Sequence, residues 1–445
     1  MTLSNVEILI RKSTMETRRN SRLTLYVIAF ALSLQTSIMH LSTGALAQGI
    51  YISAAGPVNR SMGGASTAAP IDPLGAMYWN PATISGMQNS GLEMGMDLLY
   101  SNQTLSSSVG PFSGTTKSEN GFFPVPNIAW VHKTSNPAVT FGLGMNAIAG
   151  FKTNLRSSST NPVLLPPPAG LGLVSSEASF LQIAPVLSVA MSDKLSVAVG
   201  PTITTGEVGV QPFVFAAPNT NAQYPEARAT RYSWGGGAQA GVYYIANDYW
   251  RFGASFKTKQ WMEPFRFFST DAVGANRMLK LNLDLPTILS FGTAYTPAAK
   301  WLIAFDIRYF DYHNSSGLGD AAVYNSDGSL GGLGWRSVVA TALGIQYQWS
   351  ERVALRSGYT FNESPIKKDQ AFFNTATPLY YQHMLSSGAG YALSKCVDVN
   401  LAYSYMLPAE LNGPINLPGV GNVPGSNVRN SLDVHFLSFG AIIKY

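Results

Sequence analysis

The stretch WLIAFDIRYF, residues 301–310, places a large apolar side chain at every second position. The residues that share this face are Trp301, Ile303, Phe305, Ile307 and Tyr309. Asp306 and Arg308 lie on the opposite face. Alternation with period two indicates a β-strand with different surroundings on its two sides. Residues 279–295 and 397–405 alternate in the same way. In residues 279–295, we expect six side chains to share one face: Leu279, Leu281, Leu283, Leu285, Leu289 and Phe291.

The lengths of the connections decide between a soluble β-sandwich and a membrane barrel. The candidate strands lie near residues 91–104, 122–133, 138–155, 177–191, 195–210, 228–245, 250–261, 279–296, 300–313, 335–349, 352–361, 380–393, 397–407 and 431–445. Short turns such as 350–351 alternate with long loops such as 211–227. This rhythm is typical of outer-membrane barrels, with short periplasmic turns and long extracellular loops. We therefore predict an all-β fold, a 14-stranded antiparallel transmembrane β-barrel.

The composition agrees with a barrel in a membrane. Only 12% of the 445 residues are charged, against about 25% in a typical soluble domain. The predicted mature chain has no apolar run of about 20 residues, which a membrane-spanning helix needs. Aromatic residues near the predicted strand ends are expected to form girdles at the membrane interface. They are Tyr295, Trp301, Trp349, Tyr403 and Tyr405.

The first 47 residues read as a signal peptide. Arg18, Arg19 and Arg22 precede an apolar run, and Ala45 and Ala47 form the A-x-A pattern of a cleavage site before Gln48. The alternative is a membrane anchor, and Met15 is an alternative start. Without this segment the chain has 24 basic and 22 acidic residues. This nearly neutral balance does not indicate binding to nucleic acid. We expect the protein in the outer membrane of a Gram-negative cell.

Residues 48–88 do not alternate and are rich in glycine, alanine and proline. Pro70, Pro73 and Pro81 would stop any strand. A fourteen-stranded barrel has a wide lumen that something must fill, and irregular backbone is tolerated at membrane depth when protein surrounds it. We predict that residues 48–88 form a hatch, or plug, inside the lumen of a barrel formed by residues 89–445.

The stretches GGASTAAPIDPLGAMYWNPATISGM (63–87) and LDLPTILSFGTAYTPAAKWLIAFDIRYFDY (283–312) resemble the FadL-type outer-membrane transporters of long-chain fatty acids and other hydrophobic molecules. The resemblance implies an N-terminal hatch with an NPA motif, here Asn80, Pro81 and Ala82. It also implies a kink in the third strand, matched here to Gly150, that opens the barrel wall. We expect the NPA turn to pack beside that kink.

Three predicted extracellular loops are unusually apolar: 161–174, 212–215 and 264–268. Their phenylalanines are Phe213, Phe215, Phe265, Phe267 and Phe268. Exposed apolar side chains are unfavourable unless they pack or bind something. They either close over the lumen as a lid or form a groove that captures an apolar ligand. The resemblance implies such a groove between the loops that follow the fifth and seventh strands.

Inward-facing charges have two interpretations. Arg308 or Arg356 would grip a ligand carboxylate, since guanidinium binds carboxylates through two hydrogen bonds, or Asp306 and the arginines would neutralise one another. The four histidines outside the signal segment show no spacing typical of a metal site, and no catalytic motif is evident. We expect no enzyme activity, metal or cofactor, although an outer-membrane phospholipase is an alternative.

The function predicted is uptake of long-chain fatty acids or similar hydrophobic molecules, by loop capture, hatch movement and lateral exit through the wall. The alternatives are uptake of aromatic hydrocarbons, and a structural or adhesive barrel. The partners expected are a hydrophobic small molecule, outer-membrane lipid with lipopolysaccharide, and the barrel assembly machinery. We expect a monomer.

Overall fold

A computed structural model describes residues 48–227, 232–270 and 275–445. The predicted signal peptide, residues 1–47, lies outside these ranges. None of the helices in the described residues is long and apolar enough to cross a membrane.

Fourteen antiparallel strands form a closed barrel, as predicted. They are β1 Gly91–Val109, β2 Phe112–Lys117 and Phe122–Lys133, β3 Val139–Leu155, β4 Val174–Ala190, β5 Leu195–Gln211, β6 Ser233–Ile245, β7 Trp250–Lys257, β8 Thr287–Ala298, β9 Trp301–Asp311, β10 Val338–Gln348, β11 Val353–Asn362, β12 His383–Ala392, β13 Val397–Gly413 and β14 Ser426–Lys444. Each pairs with its sequence neighbours, and β1 pairs with β14 from Gly91↔Lys444 to Val109↔Ser426. Closure removes the free sheet edges that an open sheet would leave.

The predicted alternation is present in the strands. On β9, Asp306 and Arg308 are buried inside, while Ile307 and Tyr309 are exposed on the outer surface. Aromatic residues gather where the strands meet the short turns: the rings of Trp250 and Tyr295 lie 4.4 Å apart, and those of Trp301 and Tyr347 lie 4.5 Å apart. Such rings are typical of one interface of a membrane barrel.

The prediction that the eighth strand begins at Leu279 is wrong. Asn276–Leu281 pairs with Phe265–Thr270 in a loop hairpin, and β8 begins at Thr287, directly after Pro286. Proline has no N–H to donate to a sheet ladder, so the barrel strand starts behind it. Leu279, Leu281, Leu283 and Leu285 are therefore buried beneath the loops, whereas Leu289 and Phe291 face outward. The sequence of the loop hairpin alternates between apolar and polar residues as a barrel strand does, because the hairpin is itself β-structure.

Residues 48–84 are almost all buried, and they contact strands on opposite sides of the barrel, so they lie in the lumen. Two short helices, α1 Gly56–Ser61 and α2 Pro73–Trp79, are followed by the 3-10 turn Pro81–Gly86. Asp72 caps α2 by accepting a hydrogen bond from the Gly75 N–H at 2.9 Å. Pro73 supplies the fixed φ that suits the first helical position.

Glycines on the inner face of the wall let this segment approach closely. A Cβ added to Gly253 would lie 1.9 Å from the Thr67 carbonyl oxygen, and one added to Gly241 would lie 2.1 Å from Asn80 Oδ1. Any larger residue at either position would push the segment away from the wall. The many glycines of the strands thus serve the packing of the lumen as well as the bends of the barrel.

Buried charges of the wall bind the backbone of the lumen segment. Asp306 Oδ2 accepts hydrogen bonds from the Ser66 N–H, the Thr67 N–H and the Thr67 hydroxyl, at 2.8–3.0 Å. Glu93 Oε2 accepts one from the Leu74 N–H at 3.0 Å. Arg60, on α1, forms an ion pair with Asp97 of β1 at 2.7 Å, and both side chains are fully buried. Hydrogen bonds to charged groups are the strong ones, so these contacts hold the segment firmly.

Replacing Asp97 with Asn should destabilise the protein strongly, because Arg60 would keep its charge in a dry site without a counter-ion. Removing one partner of a buried pair costs about 3–5 kcal/mol. We expect Asp97→Asn to lower the temperature at which the purified barrel loses its compact, fast-migrating form on a detergent gel.

The matched control is Glu410→Gln, which breaks the half-exposed pair with Arg429 on the outside. Such a pair contributes roughly 0–1 kcal/mol, so this variant should melt close to the parent. Equal melting of the two variants would contradict the buried anchor.

Candidate ligand route and gate

The barrel wall is broken between β2 and β3. These strands pair only from Asn127↔Asn146 to Lys133↔Thr140. Above that point residues 122–126 still pair with β1, but residues 147–153 of β3 form no ladder with β2. The strands meet again higher up, where the Glu119 N–H donates to the Asn154 carbonyl at 2.9 Å. The result is a gap in the wall that has hydrogen bonds between the two sides both above and below it.

The lumen segment closes this gap from inside. The Ile52 N–H donates to the Ile148 carbonyl at 2.9 Å, and the Gly150 N–H donates to the Ile50 carbonyl at 3.3 Å. Tyr51 and Ala149 face each other in an antiparallel bridge. These bonds satisfy part of the edge that β2 leaves free, which matters because lipid offers no hydrogen-bonding partner. The Ile52 side chain packs with Val125 and Ala147 across the gap.

A bulge in β3 accompanies the gap. Ala147 pairs with Leu181 of β4 and Ala149 pairs with Phe180, so Ile148 is an extra residue with no partner on that side. A bulge bends its strand and reverses the faces of the side chains beyond it. Phe151 therefore points inward. Gly150 lies two residues beyond Ile148, where a Cβ would come within 2.9 Å of the Ala178 carbonyl oxygen.

Three neighbouring cavities lie between the loops and the gap. The upper cavity lies beneath the loops and is lined by residues such as Val208, Val210, Phe215, Leu283, Trp335 and Phe372. The middle cavity, inside the barrel, is lined by residues such as Ile50, Leu99, Leu379, Leu432, Val434 and Phe436. The wall cavity lies in the gap, between Ile52, Phe123, Val125 and Gly150. The Phe151 side chain lines all three cavities, so the cavities lie next to one another around it.

The loop phenylalanines divide into two groups. Phe213, Phe265 and Phe267 are buried, and the Phe213 ring lies 5.5 Å from that of Phe267 and 5.7 Å from that of Phe215. This packing has the form of the predicted lid, and Phe215 also lines the upper cavity. Phe268 is 73% exposed.

Phe268 lines a groove on the outer surface together with residues 217–219 and 223–226. The groove thus runs between the two loops that follow β5 and β7. Burial raises the pKa of Tyr224, which also lines it, to about 12, and the Asp327 charge adds to this effect. The hydroxyl stays protonated and donates to the Gly328 carbonyl at 2.8 Å.

Arg308 and Arg356 are not free to receive a ligand in this arrangement. Arg308 is buried, pairs with Asp306, donates to the Gly64 carbonyl at 2.6 Å and stacks 3.5 Å above the Trp79 ring. Arg356 donates to Gln346 at 2.7 Å and to Asn400 at 3.1 Å, near the short-turn end of the barrel. Neither lines the three cavities. The pairing of Arg308 with Asp306 matches the interpretation in which inward charges neutralise one another, whereas Arg356 is bound by neutral residues of the wall.

The expectation that the NPA turn packs beside the kink is wrong. Asn80 Nδ2 donates to the Val242 carbonyl of β6 at 2.9 Å and to the Thr67 carbonyl at 2.7 Å, and its Oδ1 accepts from the Ala82 N–H. Pro81 starts the 3-10 turn. The motif thus fixes the lumen segment to the wall near β6 and β7. Ile50–Ile52 lie beside Gly150 instead, joined by Tyr78, whose hydroxyl donates to the Ile52 and Ile148 carbonyls.

Sequence reasoning missed Pro124 and Pro126, which lie in the stretch of β2 that has no partner on β3. Prolines are confined to sheet edges, because they cannot donate to a ladder. Two prolines one residue apart in a strand were therefore the signal for a break in the wall. Ile52 carried no such signal. Among the described residues, no cluster of His, Cys, Asp or Glu could hold a metal ion.

Comparison with known proteins agrees with this architecture. The model of a family described as outer membrane protein transport protein (OMPP1/FadL/TodX) matches residues 38–441. A long-chain fatty acid transport protein of Salmonella typhi is 22% identical over 194 residues, which span 39% of this chain and 43% of that protein. One of Escherichia coli O6:H1 is 24% identical over 140 residues, 30% of each chain. The alignments thus span less than half of these relatives.

Solved structures resemble the chain over most of its length, and two of them serve as examples. The Pseudomonas putida toluene transporter TodX has a TM-score of 0.66 and 17% identity, over 88% of this chain and 99% of that one. A Pseudomonas aeruginosa FadL homologue has a TM-score of 0.70 and 14% identity, over 89% and 99%. These likenesses show the fold. Because the family model spans residues 38–441 of the 445, the chain belongs to the OMPP1/FadL/TodX family of outer-membrane transport proteins.

Proposed function

We propose that the protein takes up hydrophobic molecules, fatty acids or compounds of similar character, from outside the cell and releases them sideways into the outer membrane. The observation that carries this proposal is the wall gap, which lies beside the apolar cavities and which Ile50–Ile52 cover from inside. Capture would begin on the surface groove around Phe268. The same lining would suit aromatic hydrocarbons such as toluene, the molecule that TodX transports.

Lateral exit follows from the properties of such cargo. An apolar molecule that leaves a dry cavity for water loses roughly 25 cal/mol for each Å² that becomes wet. Leaving through the wall into lipid avoids this penalty, because lipid tails are as apolar as the cavity lining. The short-turn mouth offers the opposite surroundings, since Arg251, Lys300 and Lys444 line it.

The gate would be the segment Ile50–Ile52. Two backbone hydrogen bonds join it to β3, Ile52 to Ile148 and Gly150 to Ile50, and the hydroxyls of Tyr78, Tyr312 and Tyr381 also bond to it. Each contributes about 0.5–1.5 kcal/mol net, so cargo that binds the open form better can displace the segment. The ion pairs around Arg60 and Asp306 would keep the rest of the hatch in place while this part moves.

The remaining partners follow from the barrel. The outer surface would lie against lipid and lipopolysaccharide, and insertion would need the barrel assembly machinery. β1 and β14 pair along the full length of β1, so neither offers that edge to another copy, which supports a monomer. A structural or adhesive barrel is the competing function, and it requires that the hatch never opens.

Deleting Ile148 should abolish transport. The deletion removes the extra residue of the bulge, restores one-to-one pairing of β3 with β4 and turns β3 back towards β2, which narrows the gap. Cells with this variant should take up no labelled oleate, while the purified protein still binds it. Ile148→Ala keeps the bulge and should transport normally. Uptake by the deletion variant at the parental rate would show that cargo leaves by the short-turn mouth.

Deleting residues 50–86 should raise the single-channel conductance in a planar bilayer, because this segment fills the lumen between the strands. The parent should conduct little by comparison. If the conductance of the two proteins is the same, the segment does not block water and ions.

Replacing Phe268 with Ser should weaken uptake when the ligand is scarce, because Phe268 is the phenylalanine exposed in the surface groove. Assembly should be unaffected, since the side chain makes no core contact. Phe112→Ser, at an equally exposed tip of the hairpin between β1 and β2, is the matched control. Equal uptake by both variants would leave the groove without a role in capture.

A further inference from the structure

Tyrosine hydroxyls hold the beginning of the lumen segment. Residues 48–52 are all buried, and none of them carries a charged side chain. The Ile50 carbonyl accepts from the Gly150 N–H of β3 at 3.3 Å. The carbonyls of the other four residues each accept from a tyrosine: Ile52 from Tyr78 and Gln48 from Tyr312, both at 2.7 Å, Tyr51 from Tyr381 at 3.3 Å, and Gly49 from Tyr381 at 3.4 Å. A carbonyl oxygen only accepts, so the direction of each bond is fixed.

Of these tyrosines, Tyr78 bonds to both sides of the gap. Its hydroxyl lies 2.7 Å from the Ile52 carbonyl oxygen and 3.2 Å from that of Ile148, the bulge residue of β3. Tyr312 and Tyr381 donate to the lumen segment. Within the part of the chain that the structure describes, no other donor reaches the Ile52 carbonyl. One hydroxyl thus joins the gate segment Ile50–Ile52 to the wall at the point where they meet.

The part of the hatch that carries Tyr78 is itself anchored to the wall. The neighbouring Trp79 carbonyl accepts from the Ser255 hydroxyl of β7 at 2.6 Å, and the Arg308 guanidinium of β9 lies 3.5 Å above the Trp79 ring. The Tyr78 ring meets that of Trp79 edge-on at 4.8 Å, and Lys257 Nζ lies 5.1 Å from its centre. These contacts fix the Tyr78 ring on α2, so its hydroxyl stays in place when the neutral gate segment leaves.

We propose that Tyr78 is the latch of the gate, a positioning residue whose hydroxyl keeps Ile50–Ile52 over the gap. The inference rests on the proposed function and deepens it, since it names the contact that regulates opening. Without the hydroxyl, the closed form would bury the Ile52 carbonyl with no donor, and a buried polar group without a partner is unfavourable. Opening removes this carbonyl from the dry site. Loss of the hydroxyl therefore destabilises the closed gate and leaves the open gate unaffected.

The test measures hydrogen–deuterium exchange of the purified barrel in lipid nanodiscs, without cargo, for the parent and for Tyr78→Phe. Tyr78 lines none of the three cavities, so this change leaves the route itself as it is. The amides of Ile52 and Gly150 bond across the gap and exchange only when it opens. Their exchange should become up to about tenfold faster in the variant, which corresponds to about 1.4 kcal/mol for one hydrogen bond.

The amides of Ser66 and Thr67 separate a latch from a residue that merely supports the hatch. Both donate to Asp306, at 2.9 and 3.0 Å, in the anchored part of the lumen segment. Their exchange should be the same in the parent and in Tyr78→Phe. Equal acceleration of these amides and of Ile52 would overturn the inference, because it would show that the whole hatch has loosened. Unchanged exchange at Ile52 would overturn it too, because pairing with β3 would then suffice.

Tyr380→Phe is the matched control. Tyr380 is fully buried, lines none of the three cavities, and its hydroxyl has no hydrogen-bonding partner among the described residues. This variant loses a buried tyrosine hydroxyl that bonds to nothing in the gate, so all four amides should exchange as in the parent. Acceleration of the Ile52 amide as large as that in Tyr78→Phe would contradict the latch.

A disulfide across the gap distinguishes failure of the latch from failure of the proposed function. Tyr51 and Ala149 face each other in an antiparallel bridge, a spacing that a disulfide can span. Cells carrying Tyr51→Cys and Ala149→Cys, with Cys396→Ser to remove the free cysteine, should take up no labelled oleate until the disulfide is reduced. Blocked uptake together with parental exchange in Tyr78→Phe would overturn the latch and leave the proposed function standing. Uptake through the oxidised barrel at the reduced rate would contradict the proposed function.

Discussion

Backbone groups inside a membrane must find hydrogen-bonding partners within the protein, and this constraint shapes the whole molecule. A closed barrel meets it everywhere except between β2 and β3, where Pro124 and Pro126 cannot donate and the Ile148 bulge turns β3 away. The edge that results needs another partner, which the first residues of the lumen segment supply. The gap in the wall and the segment that covers it thus depend on each other for hydrogen-bonding partners. Neither would be stable at this depth without the other.

Fixing that segment explains the charges in the lumen. Isolated buried charges are very unfavourable, yet Asp97, Asp306 and Arg308 are buried because each binds a charge or backbone group of the hatch. Glycines of the wall bring the hatch close enough for these contacts. Charged groups therefore hold the hatch over most of its length, whereas Ile50–Ile52 are held by neutral hydrogen bonds to β3 and to the Tyr78 hydroxyl. Under the proposed function, this small part moves while the remainder still fills the barrel.

Much of this architecture was predictable from the sequence. Alternation and the rhythm of turn lengths indicated the barrel, because both follow directly from the strand period and from the membrane. The prolines and small residues of 48–88 indicated a segment that is not a strand. The predicted start of β8 was wrong, because the sequence of a loop hairpin alternates as that of a barrel strand does. The predicted position of the NPA turn was wrong, because packing inside a lumen leaves no periodic pattern in the sequence. The cover of the wall gap depends on Ile52 and Ile148, distant in sequence, and only the fold brings them together. The roles of Phe268 and Gly150 stay predictions.

The most direct test of the account follows cargo through the wall of intact cells. A photo-crosslinking amino acid is placed at Phe122, exposed on the outer lip of the gap, or at Ile245, beside the short-turn mouth. Cells are illuminated during uptake of radiolabelled oleate, and label on the purified barrel is counted. Exit through the wall predicts strong labelling at position 122 that requires the bulge and disappears when Ile148 is deleted, with little at 245. Strong labelling at 245 and none at 122 would show that cargo passes through the barrel to the periplasm.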